Sequence, residues 1–273
     1  MLGVIGGSGF YKFLDNVKEE KVKTPYGEPS APIMVGEYQG KKVAFLPRHG
    51  VGHTLPPHKI NYRANLWALK QLGVDKVIGP CAVGSLQPDI KPGDFVILDQ
   101  FVDRTQNRYD TFHEGPGACP PQCASFGRVA HISAAETYCD KLAKVAISAC
   151  AKLGIPVHEK GTVVVIQGTR FSTKAESRWF SSMGWDVINM TQYPEAILAR
   201  ELDMCYLGIA LVTDYDAGLE GNPEIKPVDA SQVARVFKEN NEKLMKLLFE
   251  MISALPECRD CKCEEAMKNA FIS

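Results

Sequence analysis

The apolar residues of this chain form short runs and longer periodic segments that alternate along the sequence. Runs typical of buried strands occupy residues 2–5, 33–38, 42–46, 76–78, 95–98, 161–166, 187–188 and 205–212. Segments with apolar residues three and four apart predict helices at 61–72, 136–153, 194–202 and 229–255. This order is typical of an α/β fold with a mostly parallel or mixed sheet flanked by helices. We predict one domain over 1–255 and a cysteine-rich tail at 256–273.

Length, composition and charge narrow the classes of function. The chain has 273 residues, 45% of them hydrophobic, and a formal net charge of -1, which suit one large globular domain. Nucleic-acid binders usually carry a basic stripe, and the sequence shows none. A membrane helix needs roughly 20 apolar residues in succession, which the sequence also lacks. We therefore expect a cytoplasmic protein that acts on a small molecule, without nucleic acid or membrane as a partner.

The stretch at 186–218 carries the most chemistry. Its first strand ends at the polar triplet 189–191, a helix follows, and its second strand ends at Asp214 and Asp216. In a parallel strand-helix-strand unit both ends would face one crevice at the carboxyl edge of the sheet. Thr191, beside a helix N-terminus, suits an anion, and a carboxyl at Asp214 can handle a proton. The combination indicates a group-transfer reaction.

Two further segments offer groups for an oxyanion. In the glycine-rich run 6–9, backbone N–H groups and the Ser8 hydroxyl can cradle phosphate, although a tight turn or a dinucleotide site gives the same pattern. The segment 10–21 lacks the helix and acidic strand end of a dinucleotide fold, which favours phosphate. Arg48 and His49 suit phosphate oxygens, with a solvated loop as the alternative, and we expect Arg48 to pair with phosphate through both arms of its guanidinium.

Three loops are candidates for contacts with a ligand or a partner. Small residues at 79–86 let a backbone N–H approach a ligand. After the strand at 161–166, Phe171 could stack on a planar ligand, although an aromatic side chain in a turn is equally often packing. The segment at 105–127 is long and rich in Gly, Pro and polar residues, which is typical of a functional loop, a disordered segment or an interface.

The nine cysteines include three in the tail, Cys258, Cys261 and Cys263. Their spacing is compatible with a disulfide, a metal site or free thiols, and an odd total cannot pair completely within one chain. A closed zinc site usually takes four ligands, and the sequence shows no fourth ligand near these three. We therefore expect a disulfide or free thiols in the tail, and no metal.

Six motifs in this order resemble those of the trimeric nucleoside phosphorylases. They are IGGSG at 5–9, PRHG at 47–50, AVGSL at 82–86, GTRFS at 168–172, NMT at 189–191 with Pro194-Glu195, and TDYD at 213–216. The resemblance covers residues 1–255 and leaves out the tail. Within the family, the motifs look most like those of enzymes that act on 5'-methylthioadenosine.

The resemblance implies phosphorolysis of a purine nucleoside to the free base and a ribose 1-phosphate. Inorganic phosphate is then a co-substrate, no cofactor or metal is needed, and a homotrimer or a dimer of trimers is expected. By motif, the phosphate contacts are Ser8, Arg48, His49, the N–H of Ala82, and Thr191. The nucleoside contacts are Met190 at the ribose, Phe171 and Ser172 at the base, Asp214 at N7, Asp216 at the amino group, and His131 at the 5' pocket of a neighbouring subunit.

Two positions depart from the family pattern. Thr169 stands where the family often has Pro, which can shift the loop that carries Phe171. Cys81 stands where the family often has Thr, which removes a hydroxyl near the phosphate.

The identity of the base can be argued from Asp214 and Asp216. A 6-aminopurine has an acceptor at N7 and a donor at N6, which suits a protonated Asp214, its pKa raised by burial, and an ionised Asp216. A 6-oxopurine has acceptors at both positions, which an ionised Asp216 opposes. Apolar Ala230, Val233 and Ala234 favour a 5'-methylthio group. We expect 5'-methylthioadenosine as substrate; the alternatives are a 6-oxopurine nucleoside phosphorylase and a non-catalytic nucleoside-binding module.

Overall fold

Within the described residues, a mixed sheet of 11 strands forms the centre of the molecule. The computed structural model describes residues 1–6, 14–117, 126–218, 225, 227–256 and 258–271. The strands are β1 Leu2–Gly6, β2 Asp15–Glu20, β3 Ile33–Tyr38, β4 Lys41–Pro47, β5 Lys76–Ser85, β6 Phe95–Ile97, β7 Gln100–Arg104, β8 Val157–His158, β9 Thr162–Ile166, β10 Val187–Asn189 and β11 Cys205–Asp214. The helices are α1 Tyr62–Gln71, α2 Asp140–Leu153, α3 Lys174–Ser182, α4 Gln192–Glu201 and α5 Ala230–Ala254. The predicted α/β class with a mixed sheet is confirmed.

Strand β5 occupies the middle of the sheet and organises the site. β11 runs parallel to it along one side, from Cys205 opposite Lys76 to Asp214 opposite Gly84. On the other side, β1 pairs with residues 76–78 and β10 pairs with residues 84–85. Among the described strands, none pairs with residues 79–83 on that side. Within this stretch, the side chain of Arg48 donates to Pro80 O and that of Gln192 donates to Gly79 O.

Helices cover both faces of the sheet, which explains why so many strands read as continuous apolar runs. Successive residues of a strand point to opposite faces. On β11, Leu207 and Ile209 pack with α2 and α5, whereas Tyr206 and Ala210 pack with α1 and α4. Each fully buried aliphatic side chain of this kind contributes about 1.5–3 kcal/mol.

Two features of the sheet differ from the sequence-based prediction. The small-residue loop predicted at 79–86 is mostly the second half of β5, because β11 stays paired along that whole stretch. The unit at 186–218 was predicted to have parallel strands, which is wrong. β10 pairs antiparallel with β5 and β11 pairs parallel with it, so β10 and β11 run in opposite directions. Their ends nevertheless meet, because both reach β5 near Gly84.

The end of α5 and the tail that follows it both contact the rest of the chain. Lys41 Nζ donates to the carbonyl oxygens of Ile252, Ser253 and Leu255 at the end of α5, at 3.0, 2.8 and 2.7 Å. Farther on, Ala130 forms a β-bridge with Phe271. None of the helices in the described ranges has the length and apolar character to cross a membrane.

Candidate active site

The stretch of β5 that lacks a described partner strand on one side borders a cavity of about 840 Å³. The predicted site residues that line it are Arg48, His49, Ala82, Phe171, Met190, Thr191, Asp214 and Asp216. Ser8 lies outside the described residues. Ser172 is not in the cavity wall but lies close to Asp216. His131 is exposed, away from the cavity of its own chain, and its N–H donates to Ala270 O at 2.7 Å.

Asp214, the last residue of β11, is buried at the cavity wall with 4% exposure. Burial raises the pKa of its carboxyl to about 6, against two hydrogen bonds that favour the charged form. The Asp216 N–H donates to Oδ1 at 2.8 Å, and the Thr213 hydroxyl donates to Oδ2 at 2.7 Å. Because Thr213 Oγ1 also lies 3.2 Å from Val83 O, it can turn to that carbonyl and accept from a protonated Asp214. The site therefore accommodates both protonation states.

Asp216 presents an unused acceptor at the cavity. Its Oδ2 is buried and accepts no hydrogen bond from any described residue. Burial raises the pKa of Asp216, and the hydroxyl groups of Ser177 and Ser172 oppose the rise. Ser172 Oγ nevertheless falls short of hydrogen-bond geometry with it. A buried carboxylate oxygen without a donor from the protein is costly, and it suits a ligand N–H.

Gly84 on β5 allows the two aspartates to sit where they do. A Cβ at this position would lie 2.8 Å from Asp214 Oδ1 and 3.1 Å from Asp216 N. The first distance is shorter than a real Cβ contact and the second is tight, so a side chain here would displace the Asp214 carboxyl. The sequence shows Gly84 inside the AVGSL motif, but only the strand pairing reveals which group it accommodates.

Arg48 is buried, and its guanidinium is already engaged. Nε and Nη2 each donate to Glu195 at 2.7 Å, Nη2 also donates to Ile5 O at 2.8 Å, and Nη1 donates to Pro80 O at 2.9 Å. The expected two-armed grip on phosphate is therefore wrong in this structure, because four of the five guanidinium hydrogens are used. The N–H left on Nη1 is what Arg48 can offer to an anion in the cavity.

Glu195 is the partner that the sequence did not assign. It is fully buried and accepts a further hydrogen bond from the Tyr206 hydroxyl at 2.6 Å. Against the effect of burial, the Glu195 carboxylate raises the pKa of Arg48 above its usual value, so the guanidinium stays charged. Glu195 therefore holds a permanent positive charge at the cavity wall.

His49 lines the cavity as a neutral ring. Its Nδ1 donates to Leu55 O at 2.9 Å, which leaves Nε2 for other partners. Burial, together with a smaller effect of the charge on Arg48, lowers the pKa of His49 to about 4. His53 stacks on the ring with 4.3 Å between centroids.

Thr191 is buried in the cavity wall just before α4. Its side chain makes no capping hydrogen bond, so the hydroxyl remains for a ligand. Tyr193 has non-helical backbone angles, and regular helix begins only at Pro194, where the sequence predicted it. Thr191 therefore precedes the helical turn by a short kink and does not cap it.

The sequence-based prediction assigned no role to two residues near Met190. Arg108 donates to the carbonyl oxygens of Met190 at 3.0 Å and Gln167 at 3.0 Å, and so holds the ends of β9 and β10 together. Asn189 lines the cavity, and both polar atoms of its buried amide lack a partner among the described residues. Asn189 belonged to a motif but carried no assigned role, because an unpaired amide shows only in three dimensions.

The first two turns of α5 give the cavity an apolar wall. This wall consists of Ala230, Val233, Ala234 and Phe237. The first three were expected from the sequence, and Phe237 extends the surface. Cys81, a departure from the family pattern, also lines the cavity, and burial raises the pKa of its thiol to about 11, so it is a neutral group.

Comparison with known protein families identifies the family of this chain. Residues 1–253 match the model of the phosphorylase superfamily. The chain belongs to this superfamily. The family resemblance seen in the motifs is thereby confirmed, and relatives of this phosphorylase align with the tail as well as the domain.

Three relatives show the range of similarity. This phosphorylase is 52% identical to the S-methyl-5'-thioadenosine phosphorylase of Thermofilum pendens, over 99% of this chain and 98% of the relative. It is 48% identical to the 6-oxopurine nucleoside phosphorylase of Pyrococcus furiosus, over 98% of both chains. A crystal structure of a methylthioadenosine phosphorylase from an antarctic soil metagenomic library superposes with a TM-score of 0.89 at 39% identity, covering 99% of this chain and 92% of the other.

Proposed function

We propose that this phosphorylase cleaves 5'-methylthioadenosine with inorganic phosphate, giving adenine and 5-methylthioribose 1-phosphate. The observation that carries the proposal is the pair of buried carboxyls at the cavity. Asp214 has a pKa raised to about 6, so it can donate a proton to N7. Asp216 offers a buried oxygen without a donor, which matches the amino group of adenine.

The chemistry follows from where charge develops. A phosphate oxygen forms a bond to C1' as the bond between C1' and N9 breaks, and the electron pair of that bond passes to the purine. The proton of Asp214 moves to N7 and neutralises the leaving base. Phosphate is held by the remaining N–H of Arg48, by His49, by the Ala82 N–H and by the Thr191 hydroxyl, and we retain Ser8 as a further contact. No cofactor is proposed.

The remaining parts of the nucleoside have matching surfaces. Phe171 is 39% exposed and faces the cavity, where it can stack on the purine, with Ser172 at the edge of the base. Met190 lies against the ribose. The apolar wall of α5 suits a methylthio group better than a hydroxyl, by about 1–3 kcal/mol.

Phosphorolysis of 6-oxopurine nucleosides is the second candidate. The 48% identity to a 6-oxopurine phosphorylase is close to the 52% identity to a methylthioadenosine phosphorylase, so identity alone does not separate them. The aspartate pair favours the aminopurine, because the O6 of a 6-oxopurine would turn a lone pair towards the carboxylate of Asp216. This second activity should therefore be the weaker one.

Assembly and cellular role extend the proposal. We expect a homotrimer or a dimer of trimers in the cytoplasm, acting in purine and methionine salvage. His131 is exposed on its own subunit, as it must be to reach the 5' pocket of a neighbour. Light scattering tests the assembly, and a fully active monomer would rule it out.

One assay tests the activity. The protein is incubated with 5'-methylthioadenosine, adenosine, inosine or guanosine, with and without phosphate, and the free base is identified by chromatography. We expect phosphate-dependent release of adenine, fastest from 5'-methylthioadenosine. Faster release of hypoxanthine or guanine would favour the second candidate. Binding of nucleoside without release of any base would indicate a non-catalytic module.

A further inference from the structure

Four cysteine thiols meet at one point, far from the cavity. Cys139 precedes the first turn of α2, Cys205 is the first residue of β11, and Cys261 and Cys263 lie in the tail. Their four sulfur atoms all lie within 4.8 Å of one another. The sequence-based argument against a metal rested on a missing fourth ligand near the tail, and it fails because the fold supplies two ligands from distant segments. We propose that this four-cysteine cluster binds a structural Zn²⁺ ion.

The geometry suits a tetrahedral thiolate site. A zinc-sulfur bond of about 2.3 Å places the four sulfurs of a tetrahedron about 3.8 Å apart. The cluster has Cys205 Sγ and Cys261 Sγ at 3.3 Å and every other pair within 4.8 Å. All four sulfurs therefore surround a common centre, as a single ion requires. Each of these cysteines is a free thiol in the structure.

The ligand set indicates a structural role. Four thiolates fill the coordination sphere of zinc and leave no open position for water or substrate. None of the four residues is among those that line the cavity. Cys139 and Cys205 are buried and the two tail cysteines are partly buried, so the ion would be shielded from solvent. Phosphorolysis itself would proceed without this ion.

The surroundings can balance the charge of a zinc ion with four thiolates, which is about -2. The guanidinium of Arg259 lies near Cys205 and donates to Asp203 O at 2.6 Å. Cys139 sits at the N-terminal end of α2, where helix N–H groups point outwards and favour negative charge. Lys141, in the first turn of that helix, pairs with Asp260 of the tail at 3.0 Å.

The cluster would close the tail onto the domain. Cys261 and Cys263 belong to the segment that continues to Ala270, whose carbonyl accepts the N–H of His131. Without the ion, the thiols would offer only weak contacts such as Cys205 Sγ to Cys261 Sγ at 3.3 Å, and the segment would depend on hydrogen bonds such as Met267 N–H to Asp203 Oδ1 at 3.1 Å. Loss of the metal should therefore lower thermal stability and loosen the segment around His131, with little effect on the aspartate pair.

The test uses the full chain purified anaerobically, without chelators or added metal. Elemental analysis should find about one zinc per chain. Cobalt added in place of zinc should give the intense visible bands of tetrahedral cobalt thiolate, a readout independent of activity. The double variant Cys261→Ser, Cys263→Ser should lose the bound zinc and unfold at a lower temperature. Cys258→Ser is the matched control, because Cys258 is an exposed tail thiol outside the cluster. This variant should keep the bound zinc and the unfolding temperature of the wild type.

Two results would overturn the proposal. One is a metal-free protein in which all four thiols react with a thiol reagent. The other is two disulfides among Cys139, Cys205, Cys261 and Cys263, seen by peptide mapping with mass spectrometry. The cobalt spectrum of the wild type decides the matter even if the double variant does not fold.

Discussion

Replacing Asp214 with Asn tests whether this carboxyl has a raised pKa, and the test can be made by measuring stability without measuring activity. The amide has nearly the same shape, and its partners can adapt. The Asn oxygen can accept from the Asp216 N–H, and its nitrogen can donate to Thr213 Oγ1 while Thr213 donates to Val83 O. What the variant loses is the ability to ionise and to release a proton.

The magnitude follows from the pKa. Burial raises the pKa of Asp214 from 3.8 to about 6, and about two pKa units at about 1.36 kcal/mol each give about 3 kcal/mol. Because the folded pKa is the higher one, the stability that the protonated carboxyl provides is complete below about pH 4. It is lost as the pH rises through about 6. Since the amide cannot ionise, Asp214→Asn should gain stability relative to the wild type across this window, by up to about 3 kcal/mol.

Denaturant unfolding of both proteins at pH values from 4 to 8 measures the difference, with exposed Asp89→Asn as control. A difference that stays constant over this range would refute the reasoning, because Asp214 would then ionise normally in the folded protein. In the activity assay, the variant should lose at least about 100-fold on 5'-methylthioadenosine and less on inosine. Wild-type kcat/KM for 5'-methylthioadenosine should fall above pH about 6, as the protonated form is depleted.

Three further substitutions test the rest of the cavity. Glu195→Gln should lower the free energy of unfolding by about 3–5 kcal/mol, because it leaves the Arg48 charge uncompensated. It should also raise KM for phosphate. Unchanged stability and KM would show that Glu195 does not hold the charge of Arg48 at the cavity. Gly84→Ala should lower kcat for 5'-methylthioadenosine on the order of 10²-fold by moving Asp214, and kinetics equal to those of the wild type would show that the site tolerates a Cβ. Val233→Thr places a hydroxyl on the apolar wall and should shift the kcat/KM ratio towards adenosine by roughly 10-fold; an unchanged ratio would place the 5' group elsewhere.

The sequence predicted most strands because covered faces require apolar residues. Strand β3 has the limits predicted for it, Ile33–Tyr38. Strand β2 was not predicted, because it lies at the edge of the sheet with mostly exposed, charged side chains and carries no apolar signal. The extent of β5 was also missed. Gly79, Pro80 and Gly84 are poor strand formers, and pairing with β11 overrides that preference.

The site was predictable as a set of motifs but not as a set of contacts. Local motifs identified Asp214 and Thr191, since each follows a strand end that reaches the cavity. The partner of Arg48 is 147 residues away, and a spacing of that length carries no pattern. The two cysteines that complete the proposed zinc site were missed for the same reason, because Cys139 and Cys205 join the tail cysteines only after folding.

The three hydrogen bonds from Lys41 to the end of α5 have a mechanical consequence for the substrate. The helix has 25 residues and is about 37 Å long at about 1.5 Å per residue. Its last turn is clamped by one ammonium group, and its first turns border the cavity. A rod held at one end pivots there, so a rotation of about 5° moves the opposite end by about 3 Å, more than the length of a carbon-sulfur bond. We therefore expect a substitution at position 41 to alter the space beside the apolar wall of the cavity, although Lys41 is not among the residues that line it.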